Sequence, residues 1–212
     1  MTGATTKSGQ MIRFLGFVSL LCGVLIVGTH IITQSRIRVN QEEILRESLA
    51  QLLPGMTRQV VYVVTPSGEL TPAASGESSG KRIFAGFDAG GKFLGVVLEA
   101  SERGYADVIS AMYAYSPGSK TITGFTVLEM KETPGLGNKI GSDPDFLANF
   151  KALDTTHPVA AVKHGKKTNP WEIDAISGAT ISSRAVGRML AASVQEMAPI
   201  IARHQDRIER GN

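Results

Sequence analysis

The sequence is poor in the residues that build metal centres and disulfides. A single cysteine, Cys22, excludes an internal disulfide. The four histidines, at positions 30, 157, 164 and 204, form no metal-ligand pair with one another or with the cysteine, so no metal site is expected. No glycine-rich phosphate loop of the dinucleotide or Walker type is present, and no Ser/His/Asp set can be assigned.

An excess of positive charge is also missing from most of the chain. The 212 residues carry 22 Lys and Arg against 19 Asp and Glu, a net charge of +3. Residues 1–39 hold four bases (Lys7, Arg13, Arg36 and Arg38) and no acid, so residues 40–212 hold 18 bases and 19 acids. Because the larger part has no cationic excess to neutralise phosphates, no nucleic-acid partner is expected.

A long apolar run is present near the N-terminus. The 22 residues from Phe14 to Ser35 contain no formal charge, with the histidine counted as neutral. As a helix they would be about 33 Å long, enough to cross a hydrocarbon core of about 30 Å. Arg13 on one side and Arg36 on the other can reach lipid headgroups. We therefore predict a transmembrane helix over 14–35, in which Cys22 is a packing residue.

Three other interpretations of the apolar run are weaker. A cleaved signal peptide would have a shorter apolar region and a small-x-small site after it, and only weak candidates occur near Gly28. A lipoprotein signal at Cys22 would need a small residue before the cysteine, where Leu21 stands. A buried soluble helix would normally have a polar face. The flanking positive charges tie at two on each side, so charge alone hardly fixes the orientation.

The remaining sequence predicts one α+β domain with a mainly antiparallel sheet and flanking helices. A helix is expected over 38–53, ended by Pro54-Gly55, and Asp143-Pro144 starts a short one. Apolar residues at steps of three and four from Val186 predict a C-terminal helix from about residue 181, which Pro199 would kink. Strands are expected over 60–64, 82–87, 93–99, 107–115, 121–130, 158–163 and 171–176, with an exposed loop or hairpin over 65–80 and a turn at 116–119.

The first informative motif precedes that C-terminal helix. It reads Asp174-Ala-Ile-Ser177-Gly178-Ala179-Thr180. One interpretation is helix capping, in which a Ser or Thr side chain at the N-cap accepts hydrogen bonds from the first turn. The other is a phosphate site, because a helix N-terminus offers unpaired N–H donors and small residues allow close approach. The Thr180 hydroxyl could carry such a phosphate as an ester.

The second motif, Glu132-Thr133-Pro-Gly135-Leu136-Gly137, follows the strand predicted over 121–130. Proline fixes φ, and the glycines allow positive φ or close backbone approach. A simple strand-exit turn and a surface for a flat ligand both fit this pattern.

Both motifs together resemble the RnfG family, the flavin-binding subunits of the Rnf electron-transport complex. That family is similar to NqrC, a subunit of the sodium-pumping NADH:quinone oxidoreductase. Gly104-Tyr105 resembles a further family element, whereas Ala106 and Asn138 depart from the common pattern. The resemblance covers nearly the whole chain, and the length of the chain favours RnfG over NqrC.

The resemblance implies one covalently bound FMN, attached through its phosphate to Thr180. It implies a flavin transferase that recognises Asp174, Ser177, Gly178, Ala179 and Thr180, uses FAD and releases AMP. The further cofactor-binding residues implied are Glu132, Thr133, Gly135, Leu136 and Gly137, with Leu136 the main apolar contact. We expect Lys139 to be a solvated lysine and Trp171 to be a core residue.

The resemblance also implies an electron carrier without a substrate pocket of its own. Electrons from ferredoxin or NADH would pass through membrane, iron–sulfur and flavin subunits while ions move across the membrane. The implied organisation is a cytoplasmic tail over 1–13, a bacterial inner-membrane helix over 14–35 and a periplasmic FMN-binding domain over 36–212. A tethered sensory flavin domain and a structural anchor without redox activity are the alternatives.

Overall fold

A computed structural model describes residues 4–65, 67–72 and 80–211, without the side chains of 4–7 and 34–42. It divides into two compact units, Met1–Leu45 and Arg46–Asn212. Its elements are α1 (Ala4–Leu52), β1 (Arg58–Val64), β2 (Leu70–Pro72), β3 (Lys81–Phe87), β4 (Phe93–Arg103), β5 (Val108–Ser116), β6 (Thr121–Glu129), α2 (Pro144–Ala148), β7 (Leu153–Asp154), β8 (Ala160–Val162), β9 (Glu172–Asp174), α3 (Thr180–Arg203) and α4 (Gln205–Arg210), with short 3-10 helices at Gly137–Gly141 and Asn149–Lys151.

Helix α1 contains the apolar run. The separately predicted helices over 14–35 and 38–53 form one continuous helix, because no proline or glycine interrupts the sequence between them. Its segment Ser8–Thr33 is long and apolar enough to cross a membrane, and none of its most apolar window is buried. A soluble core helix would be mostly buried, so this interpretation does not fit. The helix ends before Pro54-Gly55, as predicted, and Gly55 adopts a φ of +84°.

The main sheet has seven strands in the order β2-β1-β3-β4-β5-β6-β7, and every neighbouring pair is antiparallel. The α+β class with a mainly antiparallel sheet is therefore confirmed. The predicted hairpin is β5–β6, closed by the pair Ser116 and Thr121. Within the predicted 65–80 loop, β2 pairs with β1, and residues 66 and 73–79 lie outside the described part.

Helix α3 covers one face of this sheet. Its predicted apolar stripe is buried, namely Val186, Leu190, Val194, Met197 and Ile201, and Pro199 lies inside a helix that continues to Arg203. On the sheet, Tyr113 in β5 shares a hydrogen bond of 2.7 Å with Ser193 of α3, and burial raises the pKa of this tyrosine. These contacts hold α3 against the sheet.

A small parallel pair, β8 and β9, leads into α3. A Cβ added at Gly187 would lie 3.0 Å from the Ala161 nitrogen, so α3 lies close to β8. Trp171 lies just before β9. The prediction that it is a core residue is wrong. It is half-buried and stacks on the exposed ring of His157, with centroids 4.1 Å apart.

Candidate functional site

The two motifs meet at the start of α3. Thr180 is the first residue of the helix, and Gly178 lies two residues before it with a φ of +82°. A Cβ added at Gly178 would lie 3.3 Å from Leu136 Cδ2, so the second motif contacts the first across 42 residues of sequence. Local patterns could place each motif at a turn, but only the fold brings the two together.

The N-terminus of α3 has no side-chain cap. The N-cap residue is Ala179, and no side chain accepts a hydrogen bond there. The capping interpretation of the motif is therefore wrong, because neither Ser177 nor Thr180 occupies the capping position. The first turn also contains no acidic residue. Free N–H groups and the positive end of the helix dipole together form an environment that suits an anion.

The turn before α3 is held from inside the domain. The buried Ser183 hydroxyl accepts a hydrogen bond of 3.1 Å from the Ile176 nitrogen and donates one of 2.9 Å to the Ala179 carbonyl. The Ala179 nitrogen donates to the Ile176 carbonyl at 3.1 Å. Ser177 and Gly178 are consequently on the exposed side of a fixed turn. The half-buried Thr180 stands at its end.

The second motif forms a tight turn that exposes its middle. The Leu136 nitrogen donates to the Thr133 carbonyl at 3.2 Å, and Gly135 adopts a φ of +76°. Thr133, Gly135 and Leu136 are exposed, whereas Gly137 is buried at the start of a 3-10 helix. The exposed part of the loop therefore lies beside Gly178.

Glu132 begins this loop with a buried side chain that is 7% exposed. Its Oε1 accepts hydrogen bonds from the Tyr105 and Ala106 nitrogens at 2.9 and 3.1 Å. Its Oε2 accepts one of 2.7 Å from the Ser182 hydroxyl in the first turn of α3. The sequence groups Glu132 with the cofactor-binding residues; in the structure its carboxylate is bonded to three protein donors.

Exposed apolar side chains collect around these contacts. Among the described residues of the Arg46–Asn212 unit, the large hydrophobic side chains that are exposed are Tyr105 (64%), Val108 (45%), Leu136 (48%) and Ile181 (52%). Tyr105, Leu136 and Ile181 belong to the three segments that meet at Glu132, and Val108 begins β5 just after the first of these segments. Exposed apolar groups confined to one place are typical of a binding site.

Asp174 lies on the far side of Ser177, at the end of β9. Its Oδ1 accepts a hydrogen bond of 2.7 Å from the Gly165 nitrogen, and its Oδ2 is 3.4 Å from His164 Nδ1. A cleft of about 230 Å³ runs from Asp174 and Ser177 to the exposed Lys139. Its lining is Lys139, Asp143, Asp145, Phe146, His164, Asp174, Ala175, Ile176 and Ser177.

Ser182 and Ser183 were not predicted from the sequence. In the first turn of α3, Ser182 binds Glu132 and Ser183 binds the turn that precedes the helix. Both are fully or almost fully buried. They precede Val186 by four and three residues, so they continue the apolar face of α3 towards its start. Buried hydroxyls on an apolar helix face need partners, and this signal could have revealed them.

The comparisons with known proteins identify the domain to which the fold and the site belong. Residues 104–195 match the family described as FMN-binding domain. The crystal structure of Shewanella oneidensis NqrC has a TM-score of 0.65 with this chain at 21% sequence identity, and the match covers 77% of this chain and 99% of that one. The chain thus has the fold of an FMN-binding domain.

Two relatives narrow the class to a family. The RnfG subunit of the ion-translocating oxidoreductase complex of Methanosarcina acetivorans is 32% identical over 182 residues, which is 84% of this chain and 87% of the relative. The protein of the same name from Cereibacter sphaeroides (strain ATH 2.4.9) is 31% identical, covering 85% and 80%. The chain belongs to the RnfG family of ion-translocating oxidoreductase complexes, and the resemblance seen in the sequence is confirmed.

Proposed function

We propose that this protein is a membrane-anchored electron-transfer subunit of an Rnf-type complex, with one FMN attached covalently to Thr180. The observation that carries the proposal is the meeting of both motifs at the uncapped N-terminus of α3, beside exposed apolar side chains. FMN, when bound, supplies one- and two-electron redox chemistry, while the protein holds and orients it.

The residues of the site fit the two ends of FMN. The exposed Ser177 and Gly178, with the small Ala179 buried behind them, leave backbone accessible next to the free N–H groups of α3, where a phosphate would be held. The exposed loop residues Thr133, Gly135 and Leu136, with Gly137 behind them, offer a surface for the flat ring. Asn138 Oδ1, next to this loop, is buried without a hydrogen-bond partner among the described residues.

Attachment would require a maturation partner. A flavin transferase would recognise Asp174, Ser177, Gly178, Ala179 and Thr180 and use FAD as donor. The Thr180 oxygen would release its proton to solvent and bond to the phosphorus of the FMN half, while the phosphoanhydride bond to the AMP half breaks and AMP leaves with the bonding electron pair. Thr180 is then an anchor and takes no part in electron transfer. The exposure of Ser177 and Gly178 supports access by such an enzyme.

The surroundings follow from the anchor and the relatives. The partners would be the other membrane, iron–sulfur and flavin subunits of the complex, together with membrane lipid around residues 14–35. Residues 1–13 would lie in the cytoplasm, and residues 36–212 would form a periplasmic domain at a bacterial inner membrane. The candidate spanning segment Ser8–Thr33 supports a single pass.

The attachment is tested by co-expressing the chain with a flavin transferase and viewing a denaturing gel under ultraviolet light. We expect a fluorescent band for the wild type, none for Thr180→Val, and at least some fluorescence for the matched variant Ser177→Ala, which alters the recognised motif but keeps the anchoring hydroxyl. Fluorescence in Thr180→Val would show that the anchor lies elsewhere. The absence of a band in the wild type would overturn covalent attachment.

A second candidate function, that of NqrC in a sodium-pumping NADH:quinone oxidoreductase, is favoured by the shared fold with the Shewanella oneidensis protein. Copurification separates the two candidates, because partner subunits of the Rnf type would support the first assignment and quinone-reductase subunits the second.

A further inference from the structure

Glu132 is placed where three separate segments of the domain meet. Its two carboxylate oxygens are bonded to the turn between β4 and β5, through the Tyr105 and Ala106 nitrogens, and to α3 through Ser182. The residue itself begins the loop that leaves β6. Two consecutive N–H groups on one oxygen and a hydroxyl on the other form a charge-assisted set of bonds inside the protein.

Two glycines provide the room for this carboxylate. A Cβ at Gly104 would lie 2.3 Å from Glu132 Oε1, and a Cβ at Gly137 would lie 2.6 Å from Oε2. Neither glycine has a positive φ, so backbone conformation does not require glycine at these positions. They are needed because the carboxylate approaches both backbones closely.

The position of Glu132 links the two ends of the proposed flavin site. Ser182 lies two residues after Thr180, and the loop residues Thr133–Leu136 directly follow Glu132. The turn that it binds carries the exposed Tyr105 ring. A shift of this carboxylate would therefore move the loop and the Tyr105 turn relative to the start of α3.

We infer that Glu132 is a positioning residue, which fixes the loop 133–136 and the Gly104–Ala106 turn against the first turn of α3 and so sets the orientation of the flavin ring. The inference rests on the proposed function. It assigns the Glu132 carboxylate to the protein framework, whereas contact with the flavin is left to the exposed residues around it.

The test compares Glu132→Ala, Glu132→Gln and wild type after co-expression with the flavin transferase. The readout is the visible circular dichroism of the attached flavin, which reports the asymmetry of its surroundings. We expect a changed visible spectrum in Glu132→Ala with an unchanged far-ultraviolet spectrum. Glu132→Gln should restore the wild-type visible spectrum, because its amide can still bond to the two N–H groups and to Ser182. Glu129→Ala, on an exposed carboxylate three residues earlier, should change neither spectrum.

Wild-type visible dichroism in Glu132→Ala, with the flavin band still on the gel, would overturn the positioning role and leave the proposed function intact. If Glu132→Ala does not fold, Ser182→Ala removes only the Oε2 bond and should change the spectrum in the same direction. If the wild type carries no flavin, hydrogen exchange decides. Faster exchange at residues 104–107 and 133–137 in Glu132→Ala supports the framework role, and unchanged exchange overturns it.

Discussion

The site contains two kinds of glycine that serve different physical purposes. Gly135 and Gly178 have φ values of +76° and +82°, which other residues adopt at a cost of about 1–2 kcal/mol. Gly104 and Gly137 have ordinary backbone angles, and their value lies in the space that they leave for Glu132. The sequence motif alone could not separate the two kinds, because their difference depends on a contact from another segment.

Replacing Gly137 by alanine should destabilise the domain by about 1–3 kcal/mol, the usual range for added volume in a filled site. The new Cβ would lie 2.6 Å from Glu132 Oε2 and 2.9 Å from the Ser182 Oγ, and the hydrogen bonds of Glu132 resist its displacement. Urea unfolding of the detergent-solubilised chain measures the effect. Gly118→Ala is the control, since its Cβ would meet nothing within 4 Å and should cost little. Equal free energies of unfolding for the two variants would show that the Glu132 side chain moves aside at little cost.

At the scale of elements, repeating patterns could be predicted and short or distant pairings could not. The apolar stripe of α3 and the strands β1 and β3–β6, which have seven to eleven residues each, are long enough to form a recognisable pattern. By contrast, β2 and β7 have three and two residues, and they exist only through their pairing with β1 and β6. The contact between Glu132 and Ser182 spans 50 residues, so no local periodicity could reveal it.

The turn before β9 is held by hydrogen bonds to the carboxylate of Glu172, the first residue of the strand. Glu172 Oε2 accepts hydrogen bonds from the Thr168 and Asn169 nitrogens at 2.8 and 3.0 Å, and Oε1 accepts one from the Asn169 side chain. These bonds lower the pKa of Glu172 to about 2, and the bond from the Thr168 nitrogen contributes most. Because β9 leads directly into the Asp174–Thr180 motif, the hydrogen-bonded Glu172 carboxylate helps to fix where that motif begins.

We expect Glu172→Gln to lower stability at pH 7 and to have a smaller effect at pH 3. A carboxyl with a depressed folded-state pKa stabilises the fold above its ordinary value of 4.5, and this contribution is lost as the pH falls towards about 2. Thermal unfolding of variant and wild type at both pH values measures the difference. Glu129→Gln serves as the control. A stability difference between variant and wild type that increased as the pH fell would contradict this role of the Glu172 carboxylate.

For the whole molecule, the net charge of +3 separates into residues 1–39, with four bases and no acid, and residues 40–212, with 18 bases and 19 acids. The chain divides structurally in a similar way, although the boundary between the compact units falls after Leu45 and the sequence placed it after Ser35. The helix continues past the charged residues because those residues are good helix formers, so composition marks the end of the apolar segment and not the end of the helix.

The orientation of the molecule can be tested because Cys22, its only cysteine, lies inside the candidate span. In a Cys22→Ala background, Gly118→Cys places one thiol in the exposed turn between β5 and β6, where a Cβ meets no atom within 4 Å. If residues 36–212 are periplasmic, a membrane-impermeant maleimide should label this thiol in intact spheroplasts of a bacterial host. Lys7→Cys in the same background should be labelled only after lysis, and the reverse pattern would place the domain in the cytoplasm.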